Sequence, residues 1–238
     1  MKEALYDCHD HHDDHTHHSI TDEIICHLPY AIFAASLGLI LVSILSMLGG
    51  MQAPHDHTME HDECTLDILF HSFHFLHLVF AATGALLTFS RYSRNLIKGF
   101  IVALVSSFFF CTLSDIILPY GAARLFGVSM ELHLCFLTEW HNVIPFLLVG
   151  LINGLIMSQH PSSAKAFHSL VAHFSHILVS CLASLFYMIG QGFYDWHQQM
   201  GLVFVLLILV VVVPCTLADI IIPVFFARTR KMHEKHSA

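Results

Sequence analysis

The sequence predicts an all-α, polytopic membrane protein whose six transmembrane helices form two inverted three-helix repeats. Three observations predict it. First, 55% of the 238 residues are hydrophobic and only 12% are charged. A soluble domain of this size needs more charge to cover its surface. Mean hydropathy is correspondingly high, at +0.66. Second, the apolar residues gather into stretches long enough for a helix to cross a bilayer, which takes about 20 residues. Third, three signatures of the first half return in the same order in the second.

The spans, in chain order, are 24–49, 67–89, 99–121, 139–158, 167–190 and 200–227. The first begins beyond a tail of residues 1–21 that is acidic and His-rich. That tail lacks the basic-then-apolar order of a cleavable signal, so the first span is expected to serve as the insertion signal. A polar loop, 50–66, separates it from the second span, and Arg91, Arg94 and Lys98 separate the second from the third. The third and sixth spans carry Pro119 and Pro223 near their ends. Spanning helices tolerate proline where neighbours satisfy the freed backbone groups. Trp140, Trp196, Tyr30 and Tyr92 fall near span ends, where an aromatic belt is expected. Gly38, Gly84, Gly150 and Gly154 would let helices approach closely. The domains are therefore a tail (1–21), a first repeat (22–123), a second repeat (124–228) and a basic C-tail (229–238).

Basic residues set the orientation. With six spans, Lys2, Arg91, Arg94, Lys98, Lys165, Arg228, Arg230, Lys231 and Lys235 share one side, and Arg124 stands on the other. The positive-inside rule then puts both termini in the cytoplasm, as in a bacterial inner membrane. The net charge of −8 and the scarcity of basic residues exclude a nucleic-acid partner.

The repeat is specific. Glu23, Pro29 and Gly38 in span one match Glu139, Pro145 and Gly154 in span four at equal spacing, and His17 and His133 stand twelve before each proline. Span two holds His74-Phe-Leu-His77, and span five holds His173-Phe-Ser-His176. Span three ends in Cys111-Thr-Leu-Ser-Asp115-Ile-Ile-Leu-Pro119, and span six in Cys215-Thr-Leu-Ala-Asp219-Ile-Ile-Ile-Pro223, identical at seven of nine positions. Each half crosses the membrane three times. An odd count forces the second half to run in the opposite sense, the inverted-repeat plan of many secondary transporters.

Two groups stand out among the 22 histidines. His9, His11, His12, His15, His17 and His18 in the tail, and His55, His57 and His61 in the loop, alternate with carboxylates. Such tracts read as labile metal-binding segments. A second group lies within spans two and five: His71, His74 and His77, and His168, His173 and His176. His74 with His77, and His173 with His176, are three apart and share a helix face. Asp115 and Asp219 follow in the next helix of each half. An ionised carboxylate in hydrocarbon costs about 2.5–3.5 kcal/mol even on the lenient insertion scale, so it persists where it has a partner. Two imidazoles and one carboxylate per half suit a divalent transition metal, Zn²⁺ first, with Ni²⁺, Co²⁺ or Fe²⁺ behind. His71, His168, Glu23, Glu139 and His141 are further candidate ligands, and His27 stands near Glu23. The seven cysteines, in no CxxC spacing, read as small apolar packing residues.

The expected function is secondary transport of a divalent metal by alternating access. The alternatives are an intramembrane His/Asp metalloenzyme of zinc-hydrolase or di-iron type, a haem carrier, and an accessory subunit or sensor. No phosphate-binding loop or nucleophile elbow is present, so ATP-driven transport by the chain alone is not expected. The expected partners are the lipid bilayer and a metal ion, with a homo-oligomer left open.

Overall fold

In a computed structural model of the chain the described residues are 20–49, 59–159 and 165–227, with side chains described over 28–48, 65–159 and 173–227. The tail histidines His9, His11, His12, His15, His17 and His18, the loop histidines His55 and His57, the side chains of Glu23, His27, His61 and His168, and the C-tail lie outside them.

Among the described residues every regular element is helical and none is a strand. Six helices are long and apolar enough to cross a membrane: α1 (Ile20–Gly49), α2 (Met59–Tyr92), α3 (Leu96–Leu125), α4 (Trp140–Gln159), α5 (Lys165–Gly190) and α6 (Tyr194–Ala227). Length and composition of these six helices, among the described residues, suit a membrane protein. α2 starts at Met59 and so takes in part of the segment read as loop 50–66. α3 and α6 do not stop at Pro119 and Pro223 but run on to Leu125 and Ala227.

The helix ends follow local chemistry. Asn95 opens α3, its side-chain oxygen accepting the Lys98 backbone N–H at 3.1 Å. Gly127 (φ +80°) and Gly192 (φ +101°) close α3 and α5 in the left-handed region. Each lets the chain return an N–H to the last turn, Val128 to Ala123 and Phe193 to Met188, both at 3.0 Å. At the end of α6, Lys98 Nζ donates to the Phe226 carbonyl at 2.7 Å, a cation on exposed helix-terminal oxygens.

α2 and α5 form the enclosed centre, and α1 and α4 lie outside them. Phe33, Ile40, Ile44 and Leu48 of α1, and Val149, Ile152 and Ile156 of α4, are exposed. In a bilayer, lipid tails would cover these faces, as expected of outer helices. The two sequence halves interlock. α1 packs on α5, and α4 packs on α2. Gly154 of α4 lies against Thr83 and Leu86 of α2, and Gly38 of α1 against Leu182 and Leu185 of α5. In the register that aligns His74 with His173, Leu182 matches Thr83 and Leu185 matches Leu86. Matched glycines thus meet matched positions of the opposite half.

Candidate metal centre

Two π-helical turns build the site. They cover Leu113–Ile117 in α3 and Leu217–Ile221 in α6, on the two copies of the repeated Cys-to-Pro motif. The sequence explains them. Proline has no N–H and its ring crowds the carbonyl four residues earlier. Four before Pro119 is Asp115, and four before Pro223 is Asp219. Each helix accommodates its proline with one wider turn, in which the Leu118 N–H reaches the Leu113 carbonyl and the Ile222 N–H the Leu217 carbonyl. Such π turns are frequent at functional sites. Here each carries a buried carboxylate into the bundle.

Asp115 faces α2. Its Oδ2 lies 2.9 Å from His74 Nδ1 and 2.7 Å from His77 Nδ1. Its Oδ1 accepts hydrogen bonds from the Ser114 and Ser180 hydroxyls, both at 2.8 Å. Phe70 stacks on the His74 ring at 5.5 Å between centroids and helps to fix it. In the other half, His176 Nδ1 lies 2.5 Å from Asp219 Oδ2. The two clusters meet ring to ring: His77 Nε2 and His176 Nε2 are 2.7 Å apart. Cys215 Sγ lies 3.6 Å from His77 Nε2. Donor atoms of His77, His176 and Cys215 all fall within 4.8 Å of one another, and all three residues are buried.

This geometry constrains protons. A ring nitrogen facing a carboxylate oxygen carries its hydrogen, so His77 and His176 are protonated at Nδ1. Their Nε2 atoms then face each other. Two bare lone pairs at 2.7 Å repel, and two hydrogens clash. A proton shared by the two rings fits between them at this distance, whereas a metal ion that both ligate needs about 3.3 Å between the nitrogens, so the rings would part by about 0.6 Å to take it. The carboxylates behind the rings favour both cases. A ligating histidine commonly gives its second N–H to a carboxylate, which fixes the tautomer and strengthens the ligand. The carboxylates also supply negative charge that the low-dielectric interior would otherwise reject.

The halves differ in how the carboxylate is held. Asp219 Oδ1 is buried with no hydrogen-bond partner. Where Asp115 has Ser114 and Ser180, the matching positions are Ala218 and Ala81. Gly84 of α2 packs on Asp219, and a methyl group there would sit 3.2 Å from Oδ2.

Among the sequence candidates, the fold brings His74, His77, Asp115, His176 and Asp219 into one continuous cluster. Asp115 and Asp219 stand behind the imidazoles, at their Nδ1 atoms. His173 is half-buried, its ring 6.4 Å from that of His176. His71 sits one turn outward from His74, with its Nδ1 on the Asp67 carbonyl at 2.9 Å. Glu139 accepts from the Asn142 amide and, with His71, lines a surface groove. His141 is exposed, 4.0 Å from Glu139. Cys215 and Ser180 were not singled out as site residues. The duplication of Cys111 and Cys215, each four residues before the buried Asp and so on the same face, was the available signal for the thiol. Comparison with known protein families, curated proteins and solved structures returns no match to this chain.

Proposed function

We propose that this chain is a secondary transporter of a divalent transition metal, Zn²⁺ most readily, that moves the metal in exchange for protons. The observation that carries the reading is the 2.7 Å approach of His77 Nε2 and His176 Nε2, each ring backed by its own aspartate and flanked by Cys215. A metal that occupies this position displaces the shared proton and takes the Cys215 sulfur as thiolate. Metal binding and proton release are then one event. Two imidazoles and a thiolate suit Zn²⁺, with a fourth position open to water. His77, His176 and Cys215 are ligands in this reading. His74, Asp115 and Asp219 orient them and balance charge.

The inverted arrangement belongs to the same proposal. The matched π turns, and the matched glycine contacts of α1 on α5 and α4 on α2, support two halves related by a pseudo-twofold axis in the membrane plane. Rocking of such halves about a shared centre near mid-span would expose it to each side in turn. Both termini are taken as cytoplasmic and the membrane as a bacterial inner membrane, from the basic residues. The His-rich tail and loop would gather metal on the two sides.

A second reading keeps the centre and changes its use. Two histidines, one cysteine and an open position also describe catalytic zinc, which activates water. Proteoliposomes separate the two. With an internal zinc indicator and an internal pH dye, transport predicts zinc entry coupled to opposite proton movement, abolished in His176→Ala. Zinc bound by the purified protein but not moved under a pH gradient of either sign would leave the catalytic reading in place and end this one.

A further inference from the structure

A second group of metal-binding side chains lies outside the centre. His71 of α2, and His133 and Cys135 of the segment between α3 and α4, place one donor atom each within 4.8 Å of the others. They sit at the end of the bundle where α3 leads into α4 and α5 into α6. His71 is set up as a ligand. Its Nδ1 donates to the Asp67 carbonyl at 2.9 Å, so the lone pair is on Nε2. That Nε2 is buried and has no hydrogen-bond partner. A backbone carbonyl on one ring nitrogen and a free, enclosed lone pair on the other is the arrangement found in metal-bound histidine.

The other two residues are held in place. The His133 backbone N–H donates to the Tyr187 hydroxyl at 3.3 Å, and that hydroxyl donates to the Glu131 carbonyl at 3.4 Å, tying the segment to α5. The rings of His71 and His133 meet edge to face at 5.6 Å. Cys135 is 1% exposed and opens the one-turn helix Cys135–Thr138. Around one tetrahedral zinc, with bonds of about 2.0–2.3 Å, donor atoms stand roughly 3.3–3.7 Å apart. A closure of about 1 Å brings these three to that spacing. A groove of about 330 Å³, lined by Asp67, His71, Glu139 and Asn142, opens beside His71 to the surface. Its carboxylates would draw a cation towards it.

We propose that His71, His133 and Cys135 form a second site for a divalent transition metal, an entry site at the surface from which His74 and His77 lead inward along one face of α2. Its role as an entry site rests on the transport reading, whereas the metal site stands on its own ligands. A metal that takes the Cys135 sulfur as thiolate displaces the thiol proton.

Cobalt(II) titration of the purified full chain tests it, because a thiolate bound to Co²⁺ gives a near-ultraviolet charge-transfer band that histidine alone does not. Cys8 and Cys64 are first changed to Ser. Cys135→Ser is expected to remove one thiolate–cobalt equivalent, and Cys215→Ser a different one. His133→Gln, at a half-buried position, is expected to weaken the Cys135-dependent band at least tenfold and leave the Cys215-dependent band unchanged. An unchanged spectrum in Cys135→Ser and in His133→Gln overturns the entry site. Loss only on Cys215→Ser keeps the inner centre and rejects the outer one, and loss only on Cys135→Ser does the reverse.

Discussion

Ser180 of α5 donates its hydroxyl hydrogen to Asp115 of α3 at 2.8 Å, across the boundary between the two sequence halves. The matching oxygen of Asp219 has no such donor, because Ala81 and Ala218 stand where Ser180 and Ser114 stand in the other copy. The repeat is thus chemically unequal at its centre. One carboxylate has both oxygens satisfied, and the other keeps a bare buried oxygen.

Ser180→Ala is expected to destabilise the protein by about 1.5–3 kcal/mol, the usual worth of a hydrogen bond to a charged group. Ala218→Ser is expected to do the opposite, by about 1 kcal/mol, by giving Asp219 the donor that Ser114 gives Asp115. Thermal unfolding of the metal-free protein in detergent measures both. Equal midpoints for Ser180→Ala and the parent would mean that Asp115 is not held there as an anion.

Zinc affinity is expected to fall about 10–100-fold in Asp219→Asn, the usual effect of removing a carboxylate behind a ligating histidine. Asp115→Asn is expected to behave alike. His173→Ala is expected to stay within a few-fold of the parent, since the donors that gather at the centre are those of His77, His176 and Cys215. Calorimetric titration gives the three constants. A His173 effect as large as that of Asp219 would move the centre towards the start of α5.

Pro119→Ala restores an N–H aimed at the Asp115 carbonyl and removes the ring that widened the turn. The turn is then expected to tighten to α geometry and rotate Asp115 away from His74 and His77. Zinc affinity should fall at least tenfold, with no loss of thermal stability. Retained affinity would show that packing, not the proline, holds the π turn.

Gly150 and Gly38 should respond differently to alanine. A Cβ on Gly150 would lie 2.6 Å from the Val79 carbonyl and 2.9 Å from the Ala82 methyl, so α4 must move off α2. Overpacking of this kind costs about 1–3 kcal/mol. A Cβ on Gly38 meets Cys181 at an ordinary 3.5 Å, and Gly38→Ala should stay within about 0.5 kcal/mol of the parent. Unfolding midpoints in one detergent make the comparison. A reversed order would contradict the packing described for α1 and α4.

Six spans and an all-helical chain were legible in the sequence, because insertion into a bilayer depends on local apolar content and length. The positions of the buried polar residues were legible for the same reason: an aspartate or a histidine in such a stretch stands out against its neighbours. The π turns were half visible, as a proline four residues after each aspartate. What the spacing could not carry was direction. His74 and His77 share a face, but nothing in that spacing says that His77 turns its Nε2 to His176 of the other half while both rings turn Nδ1 to Asp115. Nor could composition separate Cys215 from Cys181, since a thiol packs like any small apolar group until a histidine stands 3.6 Å away. His71, His133 and Cys135 come together only because α2 and the segment after α3 meet at one end of the bundle. The sequence by itself determined which residues lie in the long apolar helices and which of them would cost free energy in a bilayer. The tertiary structure decided which atom faces which, because that depends on helix rotation and on contacts between residues about 40 to 140 positions apart, which no local pattern encodes.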